Sequence, residues 1–287
     1  MNIDNKLMPL ITVVTPSYNQ GKFIRETIES VLGQDYPRLQ YIVVDGGSTD
    51  ETLEILKEYD GKLSWISESD DGQTDAINKG MRLAKGEILA YLNSDDLYEE
   101  KSLFKVAEIF MSNKNIDLIY GDFNYINIDG KLVSQRRTID FDFGAFRYDH
   151  CFICQPSSFW RRSVFDEIGL FKEQLYYYMD YDFYLRAASA GLRFHHVRAP
   201  LANLRLHTDC KTVNGSVDGR NKMLIEREQV LFPYRIKLSN TVITHVLHKV
   251  LKIFYRIKIL IHQAIQNRQV NITPHKRLMN SVYDGDV

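Results

Sequence analysis

The sequence predicts an α/β protein: a mixed, mostly parallel sheet flanked by helices, with a C-terminal helical extension. Three observations predict it. Short apolar strands alternate with helically spaced segments through residues 9–96, and such alternation implies right-handed crossovers between parallel strands. The strands end in small, polar or acidic residues, at the edge where an open parallel sheet binds its ligands. Near the C-terminus, a basic segment without Gly or Pro carries apolar residues at helical spacing from Thr241 to Gln266.

Taken in order, Ile11 to Thr15 reads as a first strand. Ile24 to Leu32 reads as a helix with Ile24, Ile28, Val31 and Leu32 on one face. Tyr41 to Val44 is a second strand, and Ser48 with Glu51 forms a capping-box pattern before a helix that buries Leu53 and Leu56. Ser64 to Ser67 is a weaker third strand, Asp75 to Ala84 a helix, and Ile88 to Leu92 a fourth strand. The second half is less regular. Asp117 to Tyr120 is a strand, a hairpin turns at Asp129-Gly130, and Ser163 to Ile168 is a short helix. "MDYDFYLRAASAG" is a helix stopped by Gly191, and Phe194 to Leu206 is extended. From about Ser216 the pattern is helical and basic.

The chain has 287 residues, enough for one large domain or a domain plus an extension. At 44% hydrophobic and 25% charged it has the composition of a soluble globular protein. A net charge of −1 gives the whole molecule no strong pull toward nucleic acid. Three cysteines and the lack of an apolar leader argue for a reducing cytoplasm. Cys151 and Cys154 form a lone "CFIC" with only His150 and Cys210 as distant help, so packed free thiols are expected rather than a metal site.

The strand ends read "TPSYN", "DGGSTD", "ESDDGQ" and "NSDD". The last sets adjacent carboxylates, Asp95 and Asp96, at the mouth of an apolar strand. Such a pair is costly unless it is solvated or holds a cation. No GxxxxGK[ST], GxGxxG or GxSxG is present, which excludes a P-loop and weighs against a nicotinamide site and an α/β-hydrolase. What remains is an acid-rich site with Tyr18 placed to stack on a ring. Carboxylates take phosphate through a bridging Mg²⁺ or Mn²⁺. The ligand inferred is a nucleotide diphosphate with a divalent metal.

The runs "VVTPSYNQGKFIRETIESVLGQDYP…YIVVDGGSTDET", "DGQTDAINKGMRLAKGEILAYLNSDD" and "MDYDFYLRAASAG" resemble family-2 glycosyltransferases across residues 9 to 210. The resemblance implies a GT-A fold, with a Rossmann-like sheet, and transfer of a sugar from a nucleotide-sugar donor with inversion at the anomeric carbon. It implies a catalytic domain over 1–215, with a nucleotide-binding half at about 9–96 and an acceptor half at about 97–215. The basic helical extension is then 216–287.

By the same resemblance Thr15, Pro16 and Tyr18 line the base and ribose, and Asp45 accepts a hydrogen bond from the base, uracil by preference. Asp71 and Asn78 lie near the nucleotide. Asp95 matches the metal-binding end of a DxD motif whose first position is here Asn93, which removes one charge. Asn93 and Ser94 then contact the donor, His207 reaches the metal or diphosphate, and Arg205 offsets diphosphate charge. Gln155-Pro156 falls near the donor sugar. Asp180 matches the general base, preceded by Met179 where an acid is usual. Asp182, two positions on, has an equal reading as a helix N-terminal acid favoured by the dipole.

Two other classes stay open on sequence: a metal-dependent nucleotidyltransferase and a non-catalytic nucleotide-sugar binding module. The acceptor implied is a glycan or lipid-linked glycan of a surface polysaccharide. The tail over 241–266 fits either an anionic membrane surface at the inner face of the cell membrane, or packing on its own domain or on a second subunit of a homo-oligomer.

Overall fold

The computed structural model describes residues 7–208, 210, 217–236 and 241–267. Four strands, β1 (Ile11–Ser17), β2 (Leu39–Asp45), β3 (Ser64–Ser67) and β4 (Ile88–Tyr91), run parallel in the spatial order β3-β2-β1-β4. β1 and β4 are buried along their whole length. That burial accounts for their unbroken apolar runs, since strands covered by helices on both faces lose the polar alternation. The crossovers are α1 (Ile24–Leu32), α2 (Thr52–Glu58) and α3 (Gln73–Leu83). α3 lies close on β1 because Gly80 faces Val14: a Cβ there would come within 2.3 Å of the valine Cγ1. The chain order reverses on either side of β1, which opens a crevice at the strand carboxyl ends.

The second half comprises β5 (Leu97–Tyr98), α4 (Ser102–Ser112), β6 (Leu118–Ile126), β7 (Leu132–Arg136), α5 (Phe143–Tyr148), β8 (Ser158–Arg161), α6 (Arg162–Ile168), α7 (Met179–Ser189) and β9 (Phe194–Arg205). β8 pairs antiparallel with both β4 and β6, and so welds the halves into one sheet of order β3-β2-β1-β4-β8-β6-β9-β5. β6 and β9 are parallel, and β7 hangs on β6 as a hairpin whose turn carries Gly130 at φ +75°.

Two local features differ from the sequence expectation. β8 has no strand signature: its four residues follow a 3₁₀ turn containing Pro156 and run straight into α6, too short for a readable alternation. Ser48 does not cap α2. Its hydroxyl is drawn instead to the Asp45 carboxylate, and α2 starts at Thr52.

The C-terminal helices α8 (Val217–Leu231) and α9 (Thr241–Asn267) pack on this body. Glu226 of α8 accepts the backbone N–H of Tyr176 and, at 2.7 Å, that of Tyr177, while Arg227 donates to the Asp149 carbonyl at 2.9 Å. On α9, Tyr255 stacks on Tyr148 at 5.9 Å between centroids, Lys258 pairs with Asp142, and Ile259 is buried. Among the described residues no helix is long and apolar enough to cross a membrane.

Gly80→Ala tests the α3–β1 approach. Overpacking against a stiff valine should cost about 1–3 kcal/mol, read as a lower Tm by calorimetry. An unchanged Tm would mean that α3 does not sit this close to β1.

Candidate active site

The strand ends converge as expected, but they do so through a scaffold of side-chain bonds. After β1, Asn19 adopts a left-handed conformation (φ 51°). Its N–H donates to Ser48 Oγ at 2.7 Å and its Oδ1 accepts the Thr49 N–H at 2.8 Å. These bonds hold the first loop on the second and leave Tyr18 at the tip, 59% exposed. Pro16 is buried at the end of β1. Thr15, expected to line the base and ribose, points its hydroxyl into the core, 3.1 Å from Tyr41 Oη.

Asp45 ends β2 fully buried. Its oxygens accept from the N–H groups of Gly47 and Ser48 and from the hydroxyls of Ser48 and Ser67. These four donors satisfy the hydrogen-bonding capacity of the buried carboxylate. After β3, Asp70 rather than Asp71 turns toward this point: a Cβ on Gly46 would come within 2.6 Å of Asp70 Oδ2. The side chain of Asp71 is exposed, and its backbone N–H donates to Asp75. Asn78, expected at the nucleotide, is buried instead. Its amide donates to the Phe171 carbonyl and to Glu173, each at 2.9 Å, and its Oδ1 accepts the Phe171 N–H. It clamps the segment before α7 onto α3.

The adjacent carboxylates at the end of β4 divide their work. Asp96 turns inward, 1% exposed, and accepts the Arg205 backbone N–H at 3.0 Å and the Asn93 amide at 3.1 Å. Burial, then the charge of Asp95, hold its pKa well above the usual carboxylate range. Asp95 turns outward, with Oδ2 3.0 Å from His207 Nε2. The His207 side chain is only 3% exposed, and its buried Nδ1 has no hydrogen-bond partner among the described residues. Asn93 Oδ1 accepts from Gln73 Nε2 at 2.7 Å, and Ser94 is buried beside it.

Arg205 does not reach toward a diphosphate. Its buried guanidinium donates to the Asp95 carbonyl at 2.9 Å, to Ile128 O at 2.9 Å and to Glu26 Oε2 at 2.6 Å, and it lies over the Phe23 ring. A buried guanidinium needs such a full set of acceptors, so this cation braces the site from behind.

Donor atoms of Asp95, His207 and Cys210 lie within 4.8 Å of one another. The Asp95 carboxylate and the His207 imidazole fit a divalent cation, the Cys210 sulfur being a softer ligand than Mg²⁺ or Mn²⁺ prefers. The sequence flagged Cys210 only as a distant neighbour of "CFIC".

In the first turn of α7, Asp180 is partly buried and its Oδ1 accepts the Tyr181 N–H at 2.7 Å. Met179, in place of an acid, takes a hydrogen bond from Thr74. Asp182 is 2% exposed, with Lys172 on one oxygen and Arg186 on the other, each at 2.7 Å. Its valences are spent on structure. Gln155 Nε2 donates to the Tyr91 carbonyl at 2.7 Å, and its buried Oε1 has no hydrogen-bond partner among the described residues. Burial, and then the nearby charges of Asp96 and Asp180, push the Cys154 thiol well up. For Cys151 the causes are burial and then Asp180. The "CFIC" thiols are thus free and neutral.

Residues 12–169 match the sequence profile of glycosyl transferase family 2. The chain belongs to that family. An uncharacterised glycosyltransferase of Rickettsia typhi is 32% identical over 227 residues, 75% of this chain and 69% of that protein. A PGL/p-HBAD biosynthesis glycosyltransferase of Mycobacterium bovis is 32% identical over 63% of this chain and 70% of its own length. Among solved structures, S. aureus TarS in complex with UDP-GlcNAc superposes with a TM-score of 0.59 at 22% identity, covering 77% of this chain and 70% of that one. The mannosyltransferase PcManGT of Pyrobaculum calidifontis, in complex with GDP-Man and Mn2+, gives 0.62 at 17% identity over 94% and 78%. At these identities the two structures show the fold, which is GT-A. As a family-2 glycosyltransferase the chain is an enzyme of sugar transfer, and the nucleotidyltransferase and binding-module alternatives fall away.

Asn78→Ala separates a structural clamp from a nucleotide contact. It should cost about 1–3 kcal/mol of stability by leaving buried Phe171 groups unpaired, while nucleotide affinity of the folded protein is unchanged by calorimetry. A loss of nucleotide affinity without a loss of Tm would return Asn78 to the binding site.

Proposed function

We propose that this glycosyltransferase moves a sugar from a uridine-diphosphate sugar to a hydroxyl of a glycan or lipid-linked glycan, with inversion, in building a surface polysaccharide. It does so in the cytoplasm at the inner face of the membrane. The observation that carries the reading is the pairing of two chemically distinct ends. Asp95 and His207 form a cation-holding end. Asp180 forms a basic end beside Tyr91, Cys151 and Cys154. Gln155 bridges the ends through the carbonyl of Tyr91 and keeps a free Oε1 for a sugar hydroxyl.

Asp45 accepts the N3–H of uracil when a nearby hydroxyl rotates away from it, and Tyr18 stacks on the base. Asp70 and Asn93 flank the ribose. Asp95 and His207 would hold a divalent cation, Mn²⁺ or Mg²⁺, which when bound would neutralise diphosphate charge and ease its departure. The acceptor oxygen attacks the anomeric carbon from the face opposite the diphosphate and loses its proton to Asp180. The bond from anomeric carbon to phosphate oxygen breaks, and UDP leaves with that electron pair. Asp182 does not compete for the role, because both its oxygens are held in ion pairs. The S. aureus neighbour carries UDP-GlcNAc, which favours uridine, whereas the archaeal one carries GDP-Man.

The test is nucleotide release across a panel of nucleotide sugars, with and without chelator. UDP release from a UDP-sugar, abolished by EDTA and restored by Mn²⁺ or Mg²⁺, is expected, and Asp95→Asn should behave as the chelated enzyme does. Turnover that survives chelation would remove the cation. Calorimetry should favour UDP over GDP, and equal affinities would remove the base-reading roles of Asp45 and Tyr18.

Asp180→Asn should bind donor normally and lose transfer by about 10²–10⁴-fold. Asp182→Asn should lower Tm and leave the rate per folded molecule near that of the parent. The reverse pattern would assign the base to Asp182.

A further inference from the structure

We infer that the outward face of α9 is a docking surface for an anionic lipid bilayer, held rigidly to the acceptor side of the catalytic body. The inference rests on the acceptor being lipid-linked, as proposed above, but its own observations are separate.

α9 is amphipathic in two directions at once. Tyr255 and Ile259 form the face that docks on α5, with Lys258 clamped to Asp142. On the opposite side, Ile243, Val246, Val250, Ile253, Phe254, Ile257, Leu260 and Ile261 are each more than half exposed. At 3.6 residues per turn these positions fall in an arc about 120° wide and run about 27 Å along the helix. Water-exposed apolar area of this extent marks an interaction site.

Charge selects the occupant. Helical spacing puts Lys249 and Arg256 along one border of the stripe, and no Asp or Glu occurs anywhere in Thr241–Asn267. Two copies meeting through this face would bring basic borders together without an acidic partner on the helix. Anionic headgroups complement these basic borders, and acyl chains cover the stripe. The helix lies in the interface plane, since its basic residues and its docked face both forbid a span.

The geometry fixes what the surface does. α5 leads directly into the segment carrying Cys151, Cys154 and Gln155. On the neighbouring helix, α8, Glu226 holds the backbone just before Asp180. The membrane-facing helix is thus anchored to the structure that presents the base, so a polyisoprenoid or other lipid-borne acceptor is met at a set height above the bilayer.

The experiment is flotation of the full chain with vesicles of phosphatidylcholine alone or with phosphatidylglycerol, at low and high salt. Binding to the anionic vesicles, weakened by salt, is expected. The triple variant Ile253→Glu, Phe254→Glu, Ile257→Glu alters only exposed positions and should reduce binding by roughly tenfold or more with Tm and UDP affinity unchanged. Lys249→Glu with Arg256→Glu should remove the preference for anionic lipid. Full-length protein that ignores anionic vesicles at low salt overturns the proposal. So does a concentration-dependent dimer, seen by sedimentation without vesicle binding and lost in the triple variant, which gives the face to a second copy. Vesicle binding by a protein that releases no UDP from any UDP-sugar would sustain the surface and fail the catalytic reading instead.

Discussion

The fully buried guanidinium of Arg205 is the constraint on which the site depends. A charge placed there is tolerable only if its donors are matched, and the matching groups come from separate parts of the chain. They are the carbonyl of Asp95 at the end of β4, that of Ile128 at the β6–β7 turn, the carboxylate of Glu26 on α1, and the ring of Phe23. The Asp96 carboxylate holds the same residue by its backbone N–H. One side chain therefore sets the relative positions of the first loop, the β4 mouth and the end of β9. His207 follows two residues later, and its ring packs on Phe23 at 4.7 Å between centroids. The distance from His207 to Asp95 is a consequence of that bracing.

The same reasoning explains why adjacent acids stand at the mouth of an apolar strand. They are not a matched pair of ligands. Asp96 is the buried acceptor that fixes β9, and its raised pKa reflects burial with a like charge next door. Asp95 is the one that turns outward, steered by a histidine whose other ring nitrogen has no hydrogen-bond partner among the described residues. Asn93, in place of an acid, suits this division. Its amide donates to Asp96 while its Oδ1 accepts from Gln73, a double role that a carboxylate could not fill without a proton.

Much of this was legible in the sequence, and the gaps have physical causes. The parallel half was readable because covered strands carry long apolar runs and their ends carry polar clusters. β8 was not, because four residues between a 3₁₀ turn and a helix leave no period to detect. Of the residues singled out in the sequence, Asp45, Asp95, His207 and Asp180 sit at strand ends or at a helix start. Sequence reasoning misread Thr15, Asn78 and Arg205, which occupy the same loops or helices but face inward. Motif position locates a residue along the chain. Which way its side chain turns is decided by partners distant in sequence, such as Tyr41, Phe171 and Glu26. Asp70 and Asp71 show the limit at its narrowest, since adjacent identical side chains are separated only by the approach that Gly46 permits.

The start of α7 obeys a different logic from the strand ends. Residues at the strand ends are set by the sheet, whose register leaves little freedom. Asp180 sits at the first turn of α7, and what precedes that turn is held by side chains from outside the sheet. Asn78 on α3 clamps Phe171, Lys172 reaches Asp182, and Glu226 on α8 takes the N–H groups of Tyr176 and Tyr177. Removing α8 would leave those N–H groups unpaired in a partly buried loop just before α7. α8 is therefore not an appendage to a finished domain, because the segment that leads into Asp180 is complete only when α8 is in place.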